Sequence, residues 1–371
     1  MPATAPRALR RVSPSTLFRS IQIRRPEQMY SLLYNFPSLR ELGLDLPKLS
    51  NQAIRASSRS FQSVASDLAD SPSGRPAFGA RYPVGAPAQP GFQVPVPEDD
   101  DKPGLGKSGE ELSRNESEQE RIGVDIAGWP VRDQGDRGTC VAHAMVACRE
   151  HLAFEQGEDC KRFDLSEQFL FWGTKTQGGD PSPHEDGTWI EFAKEALMQV
   201  GVCREELWPY DGLVRGGNVT HAGPGLPTGS AQSGAVPFCH PCSEYAREGG
   251  AARVLEHLTR TRRPVAISLP VFRDRLVPLN TNWNTPVGIA YGEVLDPPPT
   301  AVAENGHAVC VVGFVPDGEE LHGGYFVFRN SWGTMKFGRR APVEGWYAPA
   351  PGYGQISASY VDNYLWELCV L

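Results

Sequence analysis

The stretch Gln134-Gly135-Asp136-Arg137-Gly138-Thr139-Cys140 runs straight into apolar residues at helical spacing. Val141, Ala144, Met145, Cys148 and Leu152 lie at offsets 0, 3, 4, 7 and 11. The spacing predicts a helix that begins at Cys140 and stops before Gly157. A thiol at a helix start sits where the backbone dipole and the free N–H groups favour a thiolate. The amide of Gln134, six residues earlier, is placed where it could donate to an oxyanion.

Far downstream lie the other parts such a thiol needs. Gly306-His307-Ala308-Val309 offers an imidazole, and Asn330-Ser331-Trp332-Gly333 offers an orienting amide. An imidazole that takes the thiol proton leaves a thiolate–imidazolium pair poised to attack a carbonyl carbon. An amide oxygen on the far ring nitrogen fixes the tautomer without adding a charge that would compete with the pair. Trp332 would cover that hydrogen bond from water. The constellation expected is Cys140, His307 and Asn330, with the oxyanion held by the Gln134 side chain and the Cys140 amide.

At these residues the sequence resembles the papain-like cysteine peptidases, the C1-type papain family. The matching stretches are Val131 through Cys140, Leu165-Ser166-Glu167-Gln168, Asp186-Gly187-Thr188-Trp189, His307-Ala308-Val309 and Asn330-Ser331-Trp332-Gly333-Thr334. They occur in the family's order over about residues 122–371. The resemblance implies Cys140 as nucleophile, His307 as base and acid, Asn330 as orienter and Gln134 as oxyanion donor. It further implies substrate contacts at Gly187, Gly138, Gly306 and Trp332, the groove pairing with the peptide as an extended strand. No metal and no cofactor is expected. Two departures stand out. The family usually has a cysteine three residues before the nucleophile, for a disulfide, where this chain has Arg137. It usually has an aromatic residue directly after the nucleophile, where this chain has Val141. His307 also follows Cys140 by more than the approximate 130–150 residues of the signature. The extra length is assigned to 211–240 and 279–303, candidate rim loops.

The chain has 371 residues and a net charge of −8, which argues against a nucleic-acid coat. The charge is uneven: residues 1–60 hold ten Lys or Arg against three Asp or Glu, a net of +7, so the remainder carries −15. A basic arm on an acidic body suggests docking on the body or on a partner, or an address. No apolar run is long enough to span a membrane. The Arg-rich start lacks the apolar segment of a secretory signal, so a cytoplasmic location, or export without such a signal, is expected.

The expected organisation is three-part. Residues 1–70 form a basic extension with short helices, one over roughly 50–69. Residues 71–120, rich in Pro and Gly and then acidic, read as a tether. Residues 121–371 form the catalytic domain. Within it, a second helix is predicted from Trp189 to Val200, capped by Asp186 or Thr188, and a short one over Ala251 to Leu258. Strands are predicted at Pro264 to Phe272, His307 to Val315, Tyr325 to Asn330 and Tyr364 to Leu371. Helices first and strands later give an α+β class. With the resemblance, the expectation is a papain-like two-lobed fold: an N-terminal helical lobe, a C-terminal β-barrel-like lobe, and the site in the cleft between them.

His143 reads as a packing or surface residue. Cys239-His240-Pro241-Cys242 reads as loop cysteines or a local disulfide, since one C-x-x-C pair falls short of a four-ligand zinc site. The function expected is peptide hydrolysis through an acyl-enzyme, with the N-terminal extension inhibiting or targeting. Two alternatives are a papain-like scaffold or binding module, and an acyl-transferring or deamidating enzyme using the same thiol.

Overall fold

The computed structural model describes residues 80–81, 121–213, 226–247, 249–274, 281–297, 301–317, 323–341 and 347–371. The helix predicted over 50–69, and most of the basic arm and tether, lie outside the described residues.

The helical half holds α1 (Cys140–Glu155), α2 (Glu167–Thr176) and α3 (Ile190–Gln199). The other half is built on an antiparallel sheet. After β1 (Ile122–Gly123) its strands are β2 (Glu244–Ala246), β3 (Val265–Asp274), β4 (Ala301–Pro316), β5 (Gly324–Arg329), β6 (Tyr353–Ser357) and β7 (Glu367–Val370). They run β2-β7-β3-β4-β5-β6, with β1 on β4. The remaining α-helices described are α4 (Gly229–Ala235), α5 (Gly250–Thr261), α6 (Pro286–Tyr291) and α7 (Ala358–Tyr364). The α+β, two-lobed expectation holds.

α1 starts at Cys140 as predicted, but it is not amphipathic. Every residue from Cys140 to Ala153 is buried, because the helix packs on β3 and β4 with one side and on α2 and α3 with the other. Two of its buried polar side chains tie it to its surroundings. Glu150 accepts the Trp129 indole N–H at 3.0 Å and the Leu165 amide at 3.1 Å. Arg149 donates to the Phe238 carbonyl at 3.2 Å.

α3 begins where its spacing predicts, but neither Asp186 nor Thr188 caps it. Its first amides, Ile190 and Glu191, donate at 3.1 and 3.0 Å to Glu367, a buried carboxylate on β7. Glu367 also accepts from Tyr245 Oη and Ser268 Oγ. One side chain thus fastens the helical half to the strand half.

Three elements depart from the sequence reading. α2 was not predicted. Its signal is Ser166, whose hydroxyl accepts the Phe169 amide at 3.1 Å and starts the helix. Tyr364 to Leu371 is strand only from Glu367. Ser357 Oγ accepts the Tyr360 amide and opens α7 just before it. The stretches 211–240 and 279–303 carry α4 and α6 besides loop.

All eight cysteines are unlinked. The neighbour of Cys242 is Cys369, with 2.9 Å between the sulfurs, rather than Cys239. Cys369 hydrogen-bonds Cys242 and brings its thiol down to about 7. Among the described residues no cluster of three or more His, Cys, Asp and Glu could hold a metal ion, and no helix is long and apolar enough to cross a membrane.

Replacing Glu367 with alanine leaves two helix amides and a buried hydroxyl unpaired. A loss of about 3 kcal/mol is expected, read as a lower denaturation midpoint; an unchanged midpoint would refute the two-lobe fastening.

Candidate active site

Cys140 is the first residue of α1, and no side chain caps that helix end. The Ala308 amide donates to Cys140 Sγ at 3.4 Å. The thiol therefore rests on β4 at the residue that follows His307. His307 is fully buried, and its Nε2 meets Asn330 Oδ1 at 2.8 Å. Asn330, just past β5, is held by a bond from the Ser331 amide to that same oxygen, at 2.8 Å. Cys140, His307 and Asn330, 190 residues apart at the extremes of the sequence, are thus collected at one point.

Two indoles enclose the imidazole. Trp332 lies 4.5 Å from it, ring centre to ring centre, at 33°, and Trp283 stands edge-on at 5.1 Å and 80°. Both are buried, so Trp332 shields the His307–Asn330 bond. Trp283 was missed because it falls in a stretch read as rim loop. Its usable signal was Thr285-Pro286, a cap and first-turn proline that start α6. Burial holds His307 down at about 4, only partly offset by the bond to Asn330.

Gln134 is pinned at both ends of its amide. Oε1 accepts from Ser331 Oγ at 2.5 Å, and Nε2 donates to the Arg137 carbonyl at 2.8 Å. Gly138 allows the next contact. Its amide donates to Asp186 Oδ2 at 2.7 Å, and a Cβ there would lie 2.9 Å from that oxygen. His143, one turn into α1, is a packing residue: Nδ1 bonds the Thr139 carbonyl at 3.0 Å and the ring stands on Tyr210.

Two buried cations were missed by sequence reading. Arg137 donates to Gln168 Oε1 at 2.5 Å and to the Asp211 carbonyl at 2.8 Å. Its guanidinium also sits over Phe171 and Tyr210. It ties the turn before Cys140 to α2 and to the 205–213 segment without a covalent link. Lys175, wholly inaccessible, donates to Asp180 Oδ2 at 2.6 Å and to the Gly187 carbonyl at 2.5 Å. Asp180 in turn accepts from Thr188 Oγ1 at 2.7 Å. Burial lowers the Lys175 pKa, against the pull of Asp180. This pair fixes the 186–188 edge.

Between that edge and β4 lies a short piece of the N-terminal tether. Ala80 is buried; its amide donates to the Gly306 carbonyl at 3.1 Å, and the Arg81 amide donates to the Thr188 carbonyl at 2.9 Å. Ala80 runs antiparallel to Gly306 and parallel to Thr188. A composition that fills no core of its own still supplies a buried residue here. Gly306 leaves no room for a side chain: a Cβ would lie 2.3 Å from the Trp366 ring and 2.4 Å from the Ala80 carbonyl oxygen.

The described site thus brings together a thiol at a helix start, an imidazole bonded to an amide oxygen and a seated stretch of extended chain. The family model described as papain family cysteine protease matches residues 123–341, more than half of the chain, and the chain belongs to that family. Xylellain, a cysteine protease from Xylella fastidiosa, is similar in structure, with a TM-score of 0.50 and 21% identity over 67% of this chain and 85% of its own. Digestive procathepsin L 3 of Tenebrio molitor larval midgut has a TM-score of 0.44 and 19% identity, over 69% of this chain and 72% of its own. In sequence, Cysteine proteinase 1 of Entamoeba histolytica is 31% identical over 84 residues, 22% of this chain. The match takes in about a quarter of that curated relative's length (26%).

Arg137→Met removes the hydrogen bonds to Gln168 Oε1 and to the Asp211 carbonyl. A destabilisation of about 3 kcal/mol is expected, with Arg137→Lys recovering only part of it. A denaturation midpoint unmoved by Arg137→Met would show that the turn does not depend on this side chain.

Proposed function

We propose that this chain is a cysteine peptidase with Cys140 as nucleophile, His307 as base and acid, Asn330 as orienter and Gln134 as oxyanion donor. The observation that carries the reading is the seating of Cys140 Sγ on the Ala308 amide, beside an imidazole bonded to Asn330. With Nε2 directed to Asn330, Nδ1 is the nitrogen assigned to the thiol proton. The thiolate attacks the peptide carbonyl. The oxyanion is assigned to the Cys140 amide and to Gln134, whose Nε2 carries two hydrogens, one of them directed to Arg137. His307 then protonates the leaving amine, and water, deprotonated by the same ring, cleaves the thioester.

Substrate is assigned to the cleft between Gly306 and the Gly187–Thr188 edge, where the backbone carbonyls of Gly306 and Thr188 already accept from an extended chain. That chain is the protein's own tether, which supports an inhibitory role for the N-terminal extension. In this covered form His307 is held neutral by burial. We assign part of that burial to the tether seated on the neighbouring Gly306, so that an uncovered form, with the ring rehydrated, binds a proton more readily. The covered form therefore loses its advantage as pH falls from about 6.5, the ordinary histidine value, towards about 4, and gains nothing from pH above 6.5.

Cys140→Ala is expected to abolish peptide hydrolysis. Asn330→Ala should reduce kcat about a hundredfold or more while leaving residual turnover, because losing an orienting group costs less than losing the nucleophile. Full activity in Cys140→Ala would sink the assignment. For the cover, the test is Ala80→Pro with Arg81→Glu, which deletes the N–H given to Gly306 and reverses the charge of the second residue. The ratio of wild-type to variant activity is expected to rise as pH falls from 6.5 towards 4; a ratio flat with pH would refute acid uncovering.

A further inference from the structure

We infer that the cleft carries a subsite for an arginine side chain, formed by Glu185, Asp186 and Trp189, and that peptides bearing arginine there are the favoured substrates. The inference rests on the peptidase reading above, and it is carried by how Arg81 is held.

Arg81 is seated on three sides. Its Nη1 is 3.0 Å from Glu185 Oε2. Its Nε donates to the Asp186 carbonyl at 3.0 Å, and its Nη2 donates to the same oxygen. Its guanidinium carbon stands 5.2 Å from the centre of the Trp189 ring. A guanidinium offers this fork of donors in one plane and a face that stacks on an indole. An ammonium can match the charge but not the fork, so lysine is expected to bind less well than arginine.

The pocket is built rather than improvised. Trp189 is buried and braced edge-on by Phe192. The Asp186 carboxylate is fixed by the Gly138 amide, and its Oδ1 is buried without a hydrogen bond, adding negative potential beneath the cation. The adjoining backbone is fixed by Lys175 through the Gly187 carbonyl. Nothing in these contacts requires that the arginine belong to the same chain. The residues remain when the tether leaves, and a substrate strand would take the hydrogen-bonding positions that Ala80 and Arg81 vacate. The net charge of −15 on residues 61–371 adds a long-range attraction for cationic peptides. Glu185 is 69% exposed, so its ion pair alone is weak, and selectivity is assigned to the three contacts together.

The test uses the full chain carrying Ala80→Pro and Arg81→Glu, so that the pocket is emptied without altering it. Peptides of one sequence, with arginine, lysine, norleucine or glutamate moved through successive positions, are assayed for kcat/KM. The same dye-labelled peptides are titrated by fluorescence anisotropy against this chain with Cys140→Ala added, which reads binding without turnover. The expected result is one position at which arginine is favoured about tenfold over norleucine in both assays, with lysine between them. Adding Glu185→Lys should erase or reverse that preference, and raising ionic strength should weaken it. Hydrolysis with no arginine preference at any position would overturn the subsite and leave the peptidase reading standing. Arginine-selective binding without any hydrolysis would support the subsite and overturn the peptidase reading. Binding indifferent to arginine, with or without hydrolysis, overturns the subsite.

Discussion

The site depends on one constraint: a helix that is buried from Cys140 to Ala153 must begin against a strand from the other half of the chain. Cys140 is placed by α1, and α1 is placed by the packing of α2, α3 and β4 around it. The Ala308 amide meets the sulfur only because β4 passes the helix start at that residue. Glu367, reaching from β7 to the first amides of α3, holds the two halves in this relation. Geometry at the thiol is therefore a property of the whole domain.

Around the thiol, the loops are fixed by buried charge. Arg137 holds the turn that carries Gln134 and Gly138, and Lys175 with Asp180 holds the opposite edge of the cleft. A buried ion pair is weak evidence for stability, because desolvation offsets much of its attraction. Its geometric demand is what matters here: the bonds from Lys175 to Asp180 and Gly187, and from Thr188 to Asp180, leave the 186–188 backbone one arrangement. Arg137 stands where the family resemblance implies a disulfide cysteine, and it holds the turn through hydrogen bonds instead of a covalent link.

Short-range patterns in the sequence were sufficient for α1, α3, α5 and the central strands, because apolar spacing there reports directly on packing. They were insufficient where a single side chain decided the outcome. α2 carries the unbroken apolar run Phe169-Leu170-Phe171-Trp172, which blurs the helical period, and only Ser166 announces it. α7 is rich in tyrosine and was read into the strand that follows. The cap of α3 comes from Glu367, far along the chain, and no local reading finds it. Cys140, His307, Asn330 and Gln134, the residues of the proposed site, could be singled out because each sits in a short distinctive motif. Trp283, Lys175 and Ala80 were not, since each owes its place to partners distant in sequence.

The central claim, that Cys140 is an activated thiol under a removable cover, is most directly tested by alkylation. Intact chain and the chain with Ala80→Pro and Arg81→Glu are treated with limiting iodoacetamide across pH 5 to 9, and the labelled residue is located by mass. The expected result is rapid labelling at Cys140 alone in the variant, at pH values where ordinary thiols, near pH 8.5, remain protonated, and slow labelling in the intact chain. Labelling that rises only towards pH 9 and spreads over several cysteines, or that favours Cys242 in both proteins, would contradict it.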